Sequence, residues 1–334
     1  MSAPTDAVVE GWYKGRIVVV TGAYGYLGTG LCNYLRFAGA RIRRATRGRA
    51  GLENDAEAWV GDLTDPVFCK DLAAGADAVF HMAGQTSIAV SHEDPIGDLR
   101  ANVESTLRLL EACSQAGRTP AFIHSGTATE IGVTLSVPIA KDATDRPATV
   151  YDADKLAAEN LIGVYTDRGA VHGLTLRIAN VYGPGAAKSA ADRGVTNKMI
   201  AAAMAGRDLA YYGDGALVRD YVYVDDLLEA FLRSAVAAPK ASRRSFVAAG
   251  GKGYSLSEAF NLIADVVAET GRPRVGVQSA PWPENVHPID RRSFVGDVAP
   301  LEEFCEWRPT TSLRDGIRLT VEAFEHANQH DRGA

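Results

Sequence analysis

The feature that most constrains the fold is a strand-like run that leads through a glycine-rich turn into an amphipathic helix. Residues 17–20 are β-branched, and the run ends through Thr21 at Gly22, as in a buried parallel strand. Residues 27–38 carry apolar side chains at helical spacing. The turn between them reads Gly22-Ala23-Tyr24-Gly25-Tyr26-Leu27-Gly28. This order of elements predicts the first unit of a doubly wound α/β sheet.

The glycine turn predicts a binding site for the diphosphate of a dinucleotide. Gly22 permits the tight turn, Gly25 lets the backbone approach the anion, and Gly28 lets the helix pack closely on the strand. The start of the helix, which includes Tyr26 and Leu27, is expected to face the anion with its free N–H groups. The spacing is GxxGxxG rather than GxGxxG, and a flexible turn is the alternative interpretation of such a triplet taken alone.

Buried-strand patterns alternate with helical patterns over the first half of the chain. The predicted strands are 17–20, 41–45, 58–60, 78–81, 121–124 and 174–178, and the predicted helices are 27–38, 67–73, 98–116 and 155–166. Further along, the patterns predict a helix at 195–205, a strand at 220–226, and helices at 227–237 and 312–328. The alternation predicts a Rossmann-type parallel sheet with a smaller, mixed α/β lobe over its carboxyl edge. We predict a dinucleotide-binding domain from 1–179 and about 220–248, and a substrate-binding lobe from about 180–219 and 249–334.

Composition excludes several classes of protein. The net charge of −6 and the pI near 5.7 argue against a nucleic-acid-binding surface. No apolar run approaches membrane-spanning length, and the N-terminus lacks the apolar core of a signal peptide. The four cysteines have no CxxC spacing and no metal-ligand pattern is present, so we expect reduced packing cysteines in a cytoplasmic protein without a metal site.

The end of the second predicted strand bears on the choice of cofactor. In NAD sites an acidic residue at this point accepts hydrogen bonds from the ribose 2′-hydroxyl. Here Thr46 stands in that place and Arg47 follows it. A carboxylate would repel a 2′-phosphate and a guanidinium pairs with one, so the sequence favours NADP(H), with NAD(H) as the alternative. A solvated arginine face is the other interpretation of this strand.

Two further segments are candidates for cofactor contacts. Asp62 and Leu63 follow the third strand, where Asp62 can reach the adenine, although a helix N-cap is an equal alternative for it. Ala83 and Gly84 follow the fourth strand, where their backbone can line the ribose and diphosphate.

Tyr151 and Lys155 are the candidate proton-transfer residues. They are four residues apart, so on a helix they share one face, and the ammonium is expected to lower the pKa of the phenol and to reach the nicotinamide ribose. Thr127 follows a predicted strand at the carboxyl edge, where its hydroxyl can orient a carbonyl. An exposed helix face is the alternative for a lone YxxxK. The Asn102 side chain either connects its helix to this site or is a core amide whose hydrogen bonds are satisfied.

Together these motifs resemble those of the extended short-chain dehydrogenase/reductase family that acts on nucleotide sugars, the NAD-dependent epimerase/dehydratase type. The resemblance covers nearly the whole chain and rests on the glycine turn, Gly61–Asp65, His81–Gln85, Asn102-Val103, Tyr151 with Lys155, Asn180–Gly185, Arg219–Asp226 and Trp307-Arg308-Pro309. It implies a nucleotide-sugar substrate and a homodimer formed through the helices near 98–116 and 155–166. The substrate contacts that it implies are Gln85, Thr127, Asn180, Arg219, His287 and Arg291, with Asn180 and Arg219 on the diphosphate.

Departures from the family pattern exclude some of the reactions that the family catalyses. Sugar dehydratases of this family carry Thr-Asp-Glu where this chain has Thr127-Ala128-Thr129, and Glu130 is displaced by one residue. Decarboxylases carry a glutamate where Thr129 stands. Two reactions are left: 4-epimerisation with tightly held NAD, and reduction of a 4-keto sugar by exchangeable NADPH.

The sequence favours the reductase. Residues 190–195 and 290–293, with the arginine-rich second strand, resemble 4-ketoreductases of deoxysugar pathways. His287 stands where epimerases have a second diphosphate arginine, and Arg291 or Arg292 can compensate. We therefore expect NADPH-dependent reduction of the 4-keto group of a nucleotide-linked 6-deoxyhexose, with the 4-epimerase as the alternative. A non-catalytic nucleotide-binding module would not need Tyr151 and Lys155.

Overall fold

The computed structural model describes residues 7–48, 52, 55–133, 137, 144–185, 194–241, 245–284 and 286–331. The strands are β1 Ile17–Thr21, β2 Arg41–Thr46, β3 Ala58–Val60, β4 Ala78–His81, β5 Ala121–Thr127, β6 His172–Ile178, β7 Asn180–Tyr182, β8 Leu209–Tyr212, β9 Val218–Tyr223, β10 Ser245–Ala248, β11 Gly253–Ser255 and β12 Val277–Ala280. The α-helices are α1 Ala7–Tyr13, α2 Tyr26–Phe37, α3 Pro66–Ala73, α4 Ile88–Glu93, α5 Pro95–Leu99, α6 Ser105–Ser114, α7 Val150–Asp167, α8 Gly194–Met204, α9 Val224–Ala237, α10 Leu256–Ala268, α11 Ala299–Cys305 and α12 Leu313–Asp331. A π-helix spans Arg100–Glu104, and short 3₁₀ turns span Ala128–Ile131, Ala238–Lys240 and Pro288–Arg291.

The main sheet is parallel and has the order β10-β6-β5-β4-β1-β2-β3. Thr21 is in register with His81, and His81 with His124, so the carboxyl ends of β1, β4 and β5 lie side by side. Ligands of such sheets bind at this edge, near the point where the strand order reverses. The predicted Rossmann-type sheet is confirmed.

Helices cover both faces of this sheet. On one face, buried side chains of α2 and α9, such as Leu31 and Phe231, form a core with the inner residues of the sheet. On the other face, α3, α6 and α7 contribute Leu72, Leu109 and Ile162 to a second core. Two smaller sheets, of order β11-β9-β7 and β12-β8, provide the additional mixed α/β structure.

The predicted helix over 98–116 is interrupted in the structure. It divides into α5, the π-helix and α6, and Thr106 Oγ1 donates to Asn102 O inside the widened turn. The predicted strand over 220–226 ends at Tyr223, because α9 already begins at Val224 with two acidic residues in its first turn, where the helix dipole favours them. Helix α7 begins at Val150, earlier than predicted, because Thr149 Oγ1 caps it by accepting from Asp152 N.

All four cysteines are buried and free, as expected of packing residues. Among the described residues, no helix is long and apolar enough to cross a membrane, and no group of acidic, histidine or cysteine side chains is arranged to hold a metal ion.

Candidate active site

The glycine turn has the close approaches that the sequence predicts. Gly22 adopts φ +62°, and a Cβ on it would lie 2.9 Å from Ala83 N. A Cβ on Gly28 would lie 2.2 Å from Gly22 O, so the start of α2 packs against the turn more closely than any side chain allows. Gly25 is the N-cap of α2 and offers no side-chain cap, which leaves the helix N-terminus to an anion. The turn therefore fits the diphosphate of a dinucleotide.

A series of buried hydrogen bonds connects the residues on which this turn packs. Ala83 N donates to Thr21 Oγ1 at 3.0 Å, and Thr21 Oγ1 lies 2.8 Å from His81 Nδ1. His81 Nε2 lies 3.0 Å from Thr106 Oγ1, which donates to Asn102 O. Burial lowers the pKa of His81 to about 3, so the imidazole is neutral at physiological pH. These hydrogen bonds connect the loop after β4 to the π-helix.

The structure brings the three predicted catalytic residues together. The Tyr151 hydroxyl is hydrogen-bonded to the Thr127 side chain, and Tyr151 and Lys155 are both buried on α7. Lys155 Nζ donates to Ser125 O at 2.9 Å. A Cβ on Gly84 would lie 3.3 Å from Lys155 Nζ, so the loop after β4 closes over the ammonium group.

The expected effect of Lys155 on the phenol is not what the structure shows. Burial raises the pKa of Tyr151, and the charge of Glu130 raises it further, while the hydrogen bond with Thr127 lowers it. Burial also lowers the pKa of Lys155 to about 8. The expectation of a lowered pKa for Tyr151 is wrong for this structure, because the loss of water outweighs any attraction between phenolate and ammonium.

Glu130 is displaced from the site both in sequence and in space. Its Oε1 accepts from Thr127 N at 2.7 Å, and its Oε2 lies 3.2 Å from Arg177 Nε. Arg177 also pairs with Glu159 and Asp145, each at 2.7 Å. Burial, followed by the nearby Glu159 carboxylate, raises the pKa of Glu130. Glu130 is thus a buried partner of Arg177 that holds Thr127, rather than an acid directed at a substrate.

The edge beyond β2 holds the residues predicted to contact the adenosine. Thr46 Oγ1 accepts from Gly48 N, and Arg47 is exposed. Asp62 is exposed and accepts from both Thr64 N and Thr64 Oγ1 at 2.8 Å, and Leu63 packs against the second core. The bonds from Thr64 lower the pKa of Asp62, and the charge of Arg47 lowers it further. The cap of α3 is Asp65, not Asp62.

A cluster that the sequence did not predict lies next to this edge. Arg44 is buried, its guanidinium lies 3.9 Å from the centre of the Tyr24 ring, and it pairs with Asp55 at 2.6 Å. Tyr24 in the glycine turn donates to the same Asp55 carboxylate at 2.9 Å. The glycine turn is thereby fixed to the segment before β3.

The predicted diphosphate residues lie on the smaller sheets and are largely held by backbone. Asn180 Nδ2 donates to Asp220 O at 2.8 Å, and Arg219 Nη2 donates to Asp290 O at 2.6 Å. His287 Nδ1 accepts from Ile289 N and so caps a 3₁₀ turn. Arg291 is exposed and lies over the Trp282 ring.

Arg292, rather than Arg291, reaches the active-site turn. Its Nη1 donates to Ala128 O and to Gly132 O, each at 3.1 Å. Burial lowers the pKa of Arg292 to about 10, and the charge of Arg219 adds to this effect. The segment 190–193, which contributed to the resemblance with ketoreductases, lies outside the described residues.

Gln85 has its side chain engaged within the protein. Its Nε2 donates to Ser87 O at 2.8 Å and to Asp98 Oδ1 at 2.5 Å, and its Oε1 accepts from Ser87 N. The amide therefore shapes the loop after β4. Asp98 and its neighbour Asp154 were not predicted, and no pattern in the sequence marks them.

Comparison with known proteins agrees with this geometry. The model of the NAD dependent epimerase/dehydratase family matches residues 18–249. The UDP-glucose 4-epimerase of Mycolicibacterium smegmatis is 30% identical over 93% of this chain and 99% of its own length. The UDP-glucose 4-epimerase of Thermotoga maritima, solved with UDP-glucose, superposes with a TM-score of 0.81 at 26% identity, over 94% of this chain and 100% of that one. MoeE5, solved with UDP-glucose and NAD, gives 0.77 at 29% identity, with 94% and 100% covered.

The chain belongs to the NAD dependent epimerase/dehydratase family. It is accordingly an NAD(P)-dependent enzyme, as the glycine turn and the Tyr151–Lys155 pair predict.

Proposed function

We propose that the enzyme is a nucleotide-sugar 4-epimerase that interconverts UDP-hexoses with tightly held NAD. The observation that carries this proposal is the Thr127–Tyr151–Lys155 site, which has Ala128 and Thr129 beside it and Glu130 turned away to Arg177. A site of this kind can move one proton at C4, but among the described residues it lacks the acid pair for elimination of water. The likeness to UDP-glucose 4-epimerases over nearly the whole chain favours this reaction over the 4-ketoreduction that the sequence led us to expect.

The residues at the sheet edge fit the cofactor. The cradle at Gly22 and Gly28, the uncapped N-terminus of α2 and the backbone of Ala83 and Gly84 would hold the dinucleotide. When bound, NAD supplies the hydride acceptor and donor for C4 of the sugar. NAD is the cofactor of MoeE5 in its complex with UDP-glucose.

Tyr151 moves the proton at the C4 oxygen. Its raised pKa keeps the phenol protonated at neutral pH, which is the form that protonates an alkoxide. In the oxidising half-reaction the phenolate form of Tyr151 must accept the proton of the C4 hydroxyl, and the charged Lys155 lies on the same helix face, where its charge favours that form. The Thr127 hydroxyl orients the phenol and the sugar oxygen.

The substrate's diphosphate is assigned to Asn180 and Arg219 on the smaller sheets, since an exposed amide and a guanidinium suit phosphate oxygens. Within this proposal, residues 1–179 and about 220–248 bind the cofactor, and about 180–219 with 249–334 bind the substrate. A homodimer through the helices at 98–116 and 155–166, and a cytoplasmic location, complete the proposal. Leu99 and Val164 expose 45% and 52% of their surface on these helices, as an apolar contact between copies requires.

A second candidate function is reduction of a nucleotide-linked 4-keto-6-deoxyhexose by NADPH. It is favoured by one specific observation, the end of β2, where Thr46 replaces the usual acid and the exposed Arg47 is available to a 2′-phosphate. The two candidates share Tyr151 and Lys155 and differ in whether the cofactor stays bound.

The test is to purify the protein, identify the retained nucleotide by mass spectrometry, and incubate the protein with UDP-glucose without added cofactor. The epimerase proposal predicts retained NAD and formation of UDP-galactose. If the protein retains no NAD, leaves UDP-glucose unchanged, and instead consumes NADPH with UDP-4-keto-6-deoxyglucose, the reductase takes its place.

A further inference from the structure

Two buried carboxyl groups join α5 to the catalytic helix α7. Asp98 is 1% exposed and Asp154 is 9% exposed. The two side chains are hydrogen-bonded to each other. Two ionised carboxylates have no proton to donate, so this bond requires that one of the pair is protonated.

The surroundings of the pair are consistent with a shared proton. Asp98 Oδ2 and Asp154 Oδ2 are buried and have no other hydrogen-bond partner among the described residues, whereas Asp98 Oδ1 accepts from Gln85 Nε2. Neither residue forms an ion pair within the described part of the chain. A proton between the two groups satisfies the remaining oxygens, and burial, followed by the hydrogen bond with Asp98, raises the pKa of Asp154 to about 7.

The pair lies beside the reacting groups. The charge of Asp98 acts on both the Tyr151 phenol and the Lys155 ammonium. On α4 and the π-helix, which pack against both α5 and α7, the charged or titratable side chains are His92, Glu93, Arg100 and Glu104, while Asp94 lies just before α5 and Asp152 in the first turn of α7. Of these, Asp94 is already engaged as the cap of α5, and His92, Glu93 and Arg100 are exposed to water, which screens them.

We propose that Asp154 is a positioning residue that donates its proton to Asp98 and thereby fixes the loop from Gly84 to Ser87 against the active site. Asp98 holds Gln85, Gln85 holds Ser87, and Gly84 lies between Asn102 and Lys155. Loss of the proton places two negative charges in contact without water. The helices α5 and α7 then separate, and the loop loses its fixed acceptor.

The proposal predicts two pH effects. Because the pKa of Asp154 is higher in the folded than in the unfolded chain, the folded protein binds one extra proton between about pH 4 and pH 7. Wild-type stability therefore falls across this window relative to Asp154→Asn, and the difference is constant above it. The second effect rests on the proposed function. Above about pH 7, kcat/KM is expected to fall because KM rises, and we call this fall the alkaline limb.

The experiment compares wild type, Asp154→Asn, Asp98→Asn and the control Glu93→Gln, an exposed acid on α4. An asparagine at 154 donates to Asp98 without a titrating proton, and an asparagine at 98 still accepts from Gln85 while donating to Asp154. Thermal unfolding from pH 4 to 9 gives the proton uptake on folding. We expect the wild type and Glu93→Gln to take up about one proton more at pH 5.5 than either asparagine variant.

Equal proton uptake in all four proteins would overturn the proposal, whatever their activity. In the kinetic arm, Asp154→Asn is expected to keep kcat/KM at pH 6.5 within about twofold of the wild type and to lose the alkaline rise in KM. An unchanged alkaline limb in the asparagine variants would show that the pair does not position the loop. Failure of every variant and the wild type to turn over UDP-hexoses would instead count against the proposed function, and the proton count would still decide the role of the pair.

Discussion

Buried carboxyl groups lie on both sides of helix α7, and each side, here called a flank, stabilises them differently. On one flank, Glu130, Glu159 and Asp145 surround Arg177, so that each carboxyl group contacts a buried cation. On the other flank, Asp98 and Asp154 contact each other, and among the described residues no arginine or lysine forms an ion pair with them. The first flank places a cation among its acids, whereas the second has none within the described residues and depends on a shared proton.

The difference matters because both flanks meet at Tyr151 and Lys155. The Arg177 flank holds Thr127 through Glu130, and Thr127 is hydrogen-bonded to Tyr151. The Asp98 flank holds the loop that closes over Lys155. A buried charge that has lost its partner costs several kcal/mol, so loss of the cation on the Arg177 flank is expected to destabilise the protein strongly, and loss of the shared proton on the Asp98 flank is expected to make its stability depend on pH.

Tyr151→Phe removes the hydroxyl at which the two flanks meet, and we expect it to have the largest effect of the five substitutions. Removal of the hydroxyl takes away the group that moves the C4 proton, so we expect kcat to fall ~10²- to 10⁴-fold. Stability should change little, because the aromatic ring stays in place. Turnover of UDP-hexoses by purified variant and wild type checks this, and equal rates would remove Tyr151 from the chemistry.

Arg177→Met separates the two flanks by stability. It leaves Glu130, Glu159 and Asp145 without their cation, and we expect a loss of ~3–5 kcal/mol in the free energy of unfolding. The matched control is Arg274→Met, whose pair with Asp265 is exposed on both sides and should be worth less than ~1 kcal/mol. Urea unfolding of both variants gives the comparison, and similar losses would contradict it.

Lys155→Met removes the buried ammonium group that lies where the two flanks meet. The pKa of Lys155 is lowered by burial to about 8, below that of an unfolded lysine, so the unfolded chain binds the extra proton between about pH 8 and pH 10.5. Wild-type stability should therefore rise with pH over this window relative to Lys155→Met, by up to ~3 kcal/mol. A flat difference between the two proteins from pH 8 to 10.5 would show that the lysine titrates normally.

Thr127→Val probes the Arg177 flank at its contact with the phenol. The substitution keeps the volume and removes the hydrogen bond to Tyr151, which lowers the pKa of that phenol in the wild type. We expect kcat to fall about tenfold, the equivalent of one hydrogen bond of ~1.4 kcal/mol. Thr129→Val, which changes the neighbouring hydroxyl 2.8 Å away, is the control and should have a smaller effect. The reverse order of the two effects would assign the contact to Thr129.

Arg47→Ala should have the smallest effect and separates the two candidate reactions. Arg47 is exposed, so its contribution to binding of NAD, which lacks a 2′-phosphate, is expected to be below ~1 kcal/mol. The measurement is the affinity of apoprotein for NADH and NADPH before and after substitution. A large loss confined to NADPH, together with tighter binding of NADPH by the wild type, would support the reductase.

The sequence predicted the parts of the site that follow from strand ends and helix starts. The Gly22–Gly28 turn, Thr127 at the end of β5 and the Tyr151–Lys155 spacing each depend on local periodicity, and the parallel sheet places them at one edge. The six strands predicted for the first part of the chain all lie within strands of the structure; eight of their twelve boundaries coincide, and the other four differ by one to three residues.

The contacts between segments distant in the chain were not predictable. Asp98 and Asp154 are 56 residues apart, and nothing in their local sequence indicates a carboxyl pair. The pKa of Tyr151 was expected to fall because Lys155 is close in sequence, but burial by the rest of the protein raises it. Burial and long-range pairing depend on tertiary packing, which the spacing of residues along one helix does not encode.

The most direct test of the central claim follows deuterium from C4 of UDP-[4-²H]glucose. If Tyr151 moves only the proton on oxygen while the C4 hydrogen returns to the same carbon, the label is retained at C4 of UDP-galactose in normal water without added cofactor. Loss of the label to solvent during product formation, or no product at all from protein that retains NAD, would contradict the account.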